Sequence, residues 1–195
     1  MLTFGIQFVT CLKRLFNYMS NIIMITGGQR SGKSEYAEQL ALQLSSEPVY
    51  LATAHVWDEE FRQRVERHKA RRGTCWTNIE EELLLSKHDL DHRVVLVDCI
   101  TLWCTNFLYQ EHSNDNLPDV NTVLEKMKRE FDLLTKKDAT FIFVTNEIGS
   151  GGVSTNALQR RFTDLQGWMN QYVASKASTV ILMVSGIPVT IKGKK

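Results

Sequence analysis

Ile22-Ile23-Met24-Ile25-Thr26-Gly27-Gly28-Gln29-Arg30-Ser31-Gly32-Lys33-Ser34 joins a short apolar run to the pattern G-x-x-x-x-G-K-S, and a helix-like segment follows at once. Each part has a physical task. The apolar run reads as a buried strand. The glycines let backbone N–H groups curl around phosphate oxygens, Lys33 reaches the outer phosphates, and the Ser34 hydroxyl suits a magnesium ion. The helix that follows adds the positive end of its dipole. Strand, loop and helix stand in the order that phosphate binding requires. The stretch therefore reads as a P-loop, and the chain as a binder of nucleoside triphosphates.

Downstream of this loop, strand and helix signals alternate. Ala37, Leu40, Ala41 and Leu44 fall at i, i+3, i+4 and i+7, which predicts a helix over 33–44. Val49 to Thr53 predicts a short strand after Pro48. Asp58 suits a helix cap, with Glu59 and Glu60 in the first turn and arginines in the last, so a helix is expected to about Arg71. Val94 to Asp98 is apolar without alternation, the pattern of a strand buried on both faces. Helices are expected over 101–109, along the face Val120, Val123, Leu124, Met127, Phe131 and Leu134, and along Leu158, Phe162, Leu165, Met169 and Val173. Glu111 to Asp119 is polar with a proline and reads as a loop. Strands are expected over 140–145 and 179–184, with a last short one at 189–191. This order implies an α/β domain, P-loop NTPase-like (RecA-like), with a mainly parallel sheet and helices on both faces.

The chain has 195 residues, 43% hydrophobic and 23% charged, which suits one globular domain with a sizeable core. A net charge of +1 makes no electrostatic case for nucleic acid or an anionic membrane surface. Cys11, Cys75, Cys99 and Cys104 form no C-x-x-C pair, which weighs against zinc and thioredoxin-type chemistry. Cys99 stands in an apolar run and reads as a buried reduced thiol, pointing to a reducing, cytoplasmic setting. Residues 1–21 read as an N-terminal extension, non-native or disordered, and 22–195 as a single P-loop nucleotide-binding catalytic domain. The run Leu2 to Leu12 precedes its basic pair Lys13-Arg14, the reverse of a secretory signal, and is too short to span a bilayer. Met19 lies three residues before the strand, so residues 1–18 read as upstream of the domain.

Ligands of such sheets bind beyond the carboxyl ends of the strands. The residues there are the P-loop, then Thr53-Ala54-His55, then Asp98, then Thr145-Asn146-Glu147 with Gly149, Gly151 and Gly152. Asp98 ends a hydrophobic strand and suits a Mg²⁺ ligand opposite Ser34; capping the next helix is a compatible second role. On the Asp58–Arg72 segment, Phe61, Val65 and His68 share one face, and Arg64, Arg71 and Arg72 flank His68. Two readings of His68 stand from the residues alone. One is a half-buried helix histidine beside a solvated basic face. The other is a base, acid or nucleophile that meets phosphate. His88 and His92 read as surface residues, and His112 as a loop residue. Glu80, Glu81 and Glu82 read as a solvated face, one of which is free to accept bonds from ribose or guanine.

With these motifs in order, the chain resembles the bifunctional adenosylcobinamide kinase / adenosylcobinamide-phosphate guanylyltransferase family over about residues 22–193. The resemblance rests on Thr26 to Ser34, Tyr50-Leu51-Ala52-Thr53-Ala54, Arg64-Val65-Glu66-Arg67-His68-Lys69, and Trp76 with Glu80. It extends through Val97-Asp98-Cys99-Ile100-Thr101-Leu102-Trp103, Thr145-Asn146-Glu147-Ile148-Gly149, and Phe162, Asp164, Gly167, Asn170 and Gln171. It implies phosphorylation of adenosylcobinamide by ATP or GTP, then GMP transfer from GTP, giving adenosylcobinamide-GDP. It also implies that His68 carries the GMP as a phosphoramidate. By the same resemblance the nucleotide site comprises Gly27, Gly28, Gln29, Arg30, Ser31, Gly32, Lys33, Ser34, Thr53, Ala54, His55, Arg71, Arg72, Gly73, Thr74, Glu80 and Asp98. Lys33 is catalytic in this scheme, and Ser34 and Asp98 hold Mg²⁺. Nearby arginines favour the neutral imidazole that attack requires and stabilise the departing pyrophosphate.

The partners implied are small molecules, adenosylcobinamide with GTP and ATP, in a homotrimer with no nucleic acid and no membrane span. Four positions depart from the family pattern: Gln29 replaces alanine, Gly73 and Ser154 replace prolines, and Thr163 replaces an arginine. The guanine-reading N-K-x-D of Ras-like GTPases is absent, which leaves Glu80 as a candidate for guanine. Helix 155–176 and the 99–120 region are the expected walls of a corrinoid site. The competing readings are an ATP-dependent P-loop small-molecule kinase without guanylyl transfer, and a non-catalytic nucleotide switch.

Overall fold

The continuous apolar runs become the inner strands of one sheet. The structure is a computed structural model, and it describes residues 21–55, 58, 59, 62, 63, 66, 69, 72–110 and 119–193. Strands β1 (Asn21–Gly27), β2 (Val49–Ala52), β3 (Thr77–Glu80), β4 (Val94–Asp98), β5 (Thr140–Val144), β6 (Thr179–Val184) and β7 (Ile187–Lys192) lie in the order β3-β2-β4-β5-β1-β6-β7. Every pairing is parallel except β6 with β7. Ile22 to Gly27 are all buried, as parallel strands covered on both faces must be.

Alternate residues point to opposite faces, and each face has its own cover. On one face, Met24, Leu51, Val97 and Phe143 meet α2 (Ile100–Gln110), α3 (Val120–Leu134) and α4 (Ala157–Lys176). On the other, Ile25, Tyr50, Leu96 and Val144 meet α1 (Lys33–Leu44) and Trp76. Phe131 of α3 packs 5.1 Å from the Phe143 ring. Fully buried Trp103 gives its indole N–H to the Leu83 carbonyl at 3.0 Å. Asp119 and Asn156 cap α3 and α4 by accepting backbone N–H groups from within the first turn.

The expected elements appear with small shifts. Helix α3 spans 120–134, and α4 begins at Ala157 and ends at Lys176. On α1, Ala37 and Ala41 are buried, but Leu44, the last helical residue before Ser45, is 48% exposed. β1 begins at Asn21. Glu59, Arg62, Gln63, Glu66 and Lys69 are helical, and Arg62 N–H reaches Asp58 O at 3.0 Å, consistent with the helix expected there. Phe61, Arg64, Val65, Arg67, His68 and Arg71 lie outside the described residues, as do 1–20 and 111–118, the last including His112.

Strand β3 was not expected. Its sequence Thr-Asn-Ile-Glu is polar and mostly exposed, and only pairing with β2 makes it a strand. The acidic run that ends it is not uniformly solvated either. The Glu81 side chain is 10% exposed and accepts the N–H groups of Leu83 and Leu84 at 2.9 and 3.0 Å, with Lys87 paired to it. His88, expected at the surface, packs beside it, 3.7 Å from the carboxylate. Burial pushes the Glu81 carboxyl up, but Lys87 and the two N–H groups outweigh it and hold it at about 2. This contribution to stability is complete above the unfolded glutamate value of about 4.3 and is lost as pH falls toward 2. Glu81→Gln is therefore expected to lower the urea midpoint at pH 7 and to flatten its decline between about pH 5 and pH 2.5; an unchanged acid limb would refute the assignment.

Candidate active site

The parallel register lines up the candidate residues before any side chain is considered. Glu80 pairs with Ala52, Ala52 with Asp98, Asp98 with Val144, and Val144 with Ile25. Glu80, Asp98 and the start of the P-loop thus leave one carboxyl edge of the sheet. β5 separates β4 from β1, so Asp98 and Ile25 stand about 10 Å apart across two strand spacings.

The P-loop backbone is shaped by its glycines. Gly27 has φ +152°, and a Cβ there would stand 2.5 Å from the Met183 carbonyl oxygen, so no larger residue fits. Gly32 precedes α1 in the left-handed region. Gln29 is exposed, as expected. Lys33, 7% exposed, gives its ammonium to the Gly28 carbonyl at 2.6 Å and to the Ser31 hydroxyl at 3.4 Å. Burial lowers its pKa below the ordinary lysine value, and the negative charge of Asp98 acts in the opposite direction. The Lys33 ammonium is therefore held close to the loop and coupled electrostatically to Asp98.

Asp98 is held from two sides. The Tyr50 hydroxyl donates to its Oδ2 at 2.7 Å. Thr53, fully buried, donates its hydroxyl to Cys99 O at 2.8 Å and accepts Cys99 N–H at 2.9 Å, which pins the turn just after Asp98. Asn106 of α2 in turn donates to Thr53 O at 2.7 Å. Burial pushes the Cys99 thiol up to about 12, so it stays a neutral packing group. Thr53 therefore serves the site by fixing backbone. His55 Nδ1 lies 2.8 Å from Glu82, and Glu80 is paired with Lys69 at the rim. Gly73 and Thr74 are exposed in the turn that follows Arg72.

Arg72 lies over Tyr50, its guanidinium carbon 3.4 Å from the ring centroid. Nε donates to Asn78 Oδ1 at 3.2 Å, whereas one terminal nitrogen, Nη1, is buried and has no partner among the described residues. On the other flank, Asn146 N–H donates to Thr101 Oγ1 at 2.9 Å, and Gln166 and Asn170 of α4 donate to Asn146 O at 2.6 and 3.1 Å. Thr145 donates to Asn170 Oδ1 at 2.7 Å, and Glu147 N–H reaches Gly27 O at 3.0 Å. α4 thereby sets the β5 end that abuts the P-loop. Sequence reading quoted Tyr50 and Asn170 within the family motifs without a role and passed over Asn106 and Gln166; each sits inside an ordinary strand or helix pattern, and only a long-range contact marks it.

Two open grooves, about 690 and 520 Å³, flank the N-terminal turn of α4. The larger is lined by Asn121, Val153, Arg160, Arg161, Asp164 and Trp168 among others. Tyr109 of α2 and Phe162 of α4 line the smaller. No helix among the described residues is long and apolar enough to cross a membrane.

Comparison with known proteins agrees with this geometry. The family model of cobinamide kinase / cobinamide phosphate guanyltransferase matches residues 23–191. The chain is 35% identical over 175 residues to the bifunctional adenosylcobalamin biosynthesis protein CobP of Pseudomonas aeruginosa, covering 88% of this chain and 97% of that protein. It is 36% identical over 182 residues to the CobU protein of the same description from Escherichia coli, covering 88% and 99%. Among solved structures, a prototypical ATPase from the type III secretion system of pathogenic bacteria matches with TM-score 0.53 and 11% identity, over 88% of this chain and 57% of the other. That likeness concerns the fold, an α/β P-loop NTPase sheet.

Proposed function

The chain belongs to the cobinamide kinase / cobinamide phosphate guanyltransferase family, and we propose that its two activities share one nucleotide site. It phosphorylates cobinamide and transfers a guanylyl group to cobinamide phosphate, in adenosylcobalamin biosynthesis. The observation that carries the shared site is the register that sets Glu80, Asp98 and the P-loop along one edge of the sheet. In the kinase step the acceptor hydroxyl attacks the γ-phosphorus of ATP or GTP. A P–O bond forms, the bond to the nucleoside diphosphate breaks, and the hydroxyl proton is released.

In the transfer step an imidazole nitrogen of His68 attacks the α-phosphorus of GTP. An N–P bond forms as the P–O bond to pyrophosphate breaks. A phosphate oxygen of cobinamide phosphate then attacks the same phosphorus, closes the diphosphate and frees His68. Lys33, Arg71 and Arg72 stabilise charge on the transferring and departing groups, and the P-loop amides hold the phosphate chain. Ser34 and Asp98 offer the hard oxygen donors that Mg²⁺ takes, and no cluster of three or more His, Cys, Asp or Glu gathers among the described residues. That donor set suits Mg²⁺, which is held by one or two protein oxygens together with substrate phosphates. Bound there, it neutralises phosphate charge. Glu80 is the candidate to read guanine.

The acceptor lies in the grooves beside α4, where Arg160 and Arg161 suit its phosphate and Trp168, Tyr109 and Phe162 its apolar faces. A homotrimer is supported by the apolar side chains of Val184, Ile187, Val189 and Ile191, exposed on the β6–β7 hairpin. Buried free thiols at Cys99 and Cys104 support a cytoplasmic setting. GTP labelled at the α-phosphorus tests the covalent step: an acid-labile, base-stable protein label is expected. Its absence from active, metal-loaded protein leaves a kinase without a guanylylated histidine and sinks this reading.

A further inference from the structure

We propose that Tyr50 is a positioning residue of the nucleotide site, orienting Asp98 with its hydroxyl and Arg72 with its ring. The proposal rests on the reading that Asp98 serves the metal and Arg72 a phosphate. Tyr50 stands on β2 one pleat before Ala52, on the face that α1 covers. Its ring is clamped edge-on by Trp76, with centroids 6.0 Å apart and planes at 78°. The side chain is 5% exposed, so ring and hydroxyl have little freedom.

A buried tyrosine needs one partner for its hydroxyl and asks nothing of its ring faces. Here both handles are used, and each meets a group assigned to the nucleotide. The hydroxyl donates to Asp98 Oδ2 at 2.7 Å. That bond occupies one carboxylate oxygen and fixes the rotation that aims the other. On the ring, the guanidinium of Arg72 lies flat at 3.4 Å, and Asn78 holds its Nε. Stacking of this kind satisfies a guanidinium face and leaves its edge for hydrogen bonds. Part of that edge, Nη1, is buried without a partner among the described residues, a costly arrangement for a cation unless an anion completes it. A purely structural tyrosine accounts for neither the choice of Asp98 as acceptor nor the orphaned nitrogen. Tyr50 thus ties Arg72 to the acid at the end of β4, which lies 48 residues after Tyr50 in sequence.

Two substitutions separate the two handles. Tyr50→Phe removes the hydroxyl and keeps the ring. Tyr50→Leu removes both, and Tyr50→Met replaces it should the leucine variant not fold. Full-length protein is titrated with an N-methylanthraniloyl-labelled GDP, in EDTA and across a Mg²⁺ series, with thermal melting in parallel. Tyr50→Phe is expected to raise the Mg²⁺ concentration for half-maximal response about tenfold, a factor in keeping with a lost hydrogen bond to a charged group. Its binding in EDTA stays at the wild-type value. Tyr50→Leu is expected in addition to weaken binding in EDTA about fivefold, as Arg72→Met does, because the guanidinium loses its platform. Asp98→Asn must shift the Mg²⁺ dependence, and Tyr50→Phe must add little in that background. If Asp98→Asn shifts it and Tyr50→Phe does not, the inference is overturned while the metal reading stands. If Asp98→Asn leaves it unmoved, the metal reading fails and takes the hydroxyl's role with it. A Tyr50→Leu variant that binds like Tyr50→Phe in EDTA overturns the role of the ring.

Discussion

His68→Ala is expected to abolish guanylyl transfer while sparing phosphorylation of cobinamide. The two steps differ in what they ask of the protein. Phosphoryl transfer to a hydroxyl needs the nucleotide held, its charge neutralised and the acceptor aligned, tasks proposed above for the P-loop, Lys33 and Asp98 and for the grooves beside α4. Transfer through a covalent intermediate needs a nucleophile, the part proposed for the His68 imidazole. Loss of a nucleophile that acts in a unit with its surroundings costs on the order of 10³-fold or more. The expected result is no α-phosphate label on the protein and a transfer rate lowered by at least about that factor. Production of cobinamide phosphate from ATP should stay within a few-fold of wild type. A variant that retains transfer removes the covalent route, and one that loses both activities equally points to a role for His68 in binding.

Lys33→Ala is expected to depress both activities together. Its ammonium is buried, bonded to Gly28 O at 2.6 Å, and electrostatically coupled to Asp98. Deleting it removes the buried ammonium bonded to the loop, whichever phosphorus reacts. The loss of one preorganised charge at a transferring phosphate corresponds to about 10²–10³ in rate. Assays of cobinamide phosphorylation and of guanylyl transfer on the same preparation check this, with circular dichroism to confirm the fold. A Lys33→Ala enzyme impaired in only one step means that the two chemistries do not share the loop. The pair of variants therefore maps the division of labour: Lys33 common to both steps, His68 private to one.

Much of this site was legible in the sequence. Ile22 to Ser34 announces strand, phosphate loop and helix in thirteen consecutive residues, because every part of that device is local. Asp98 is marked by its place at the end of an unbroken apolar strand. His68 is marked by its arginine neighbours and by the family motif around it. Other residues carry no sign of their role. Tyr50 reads as one more buried strand residue, Glu81 as one acid in an exposed run, and Thr-Asn-Ile-Glu carries no strand signal. Their roles arise from partners 48 residues away for Tyr50, from the local turn and Lys87 for Glu81, and from the open edge of β2 for β3.

The sequence by itself determined the phosphate-binding loop, the alternation of strands and helices, and the family. These are written in short-range patterns: the periods of side-chain exposure and the backbone freedom of glycine. Only the tertiary structure decided that β5 lies between the P-loop strand and the strand of Asp98, and that Glu80, Asp98 and the P-loop leave one edge together. It alone seated Arg72 on Tyr50 and Tyr50 on Asp98. Strand order and such contacts are won by burying two apolar faces at once, a balance struck over the whole chain and visible in no single window of it.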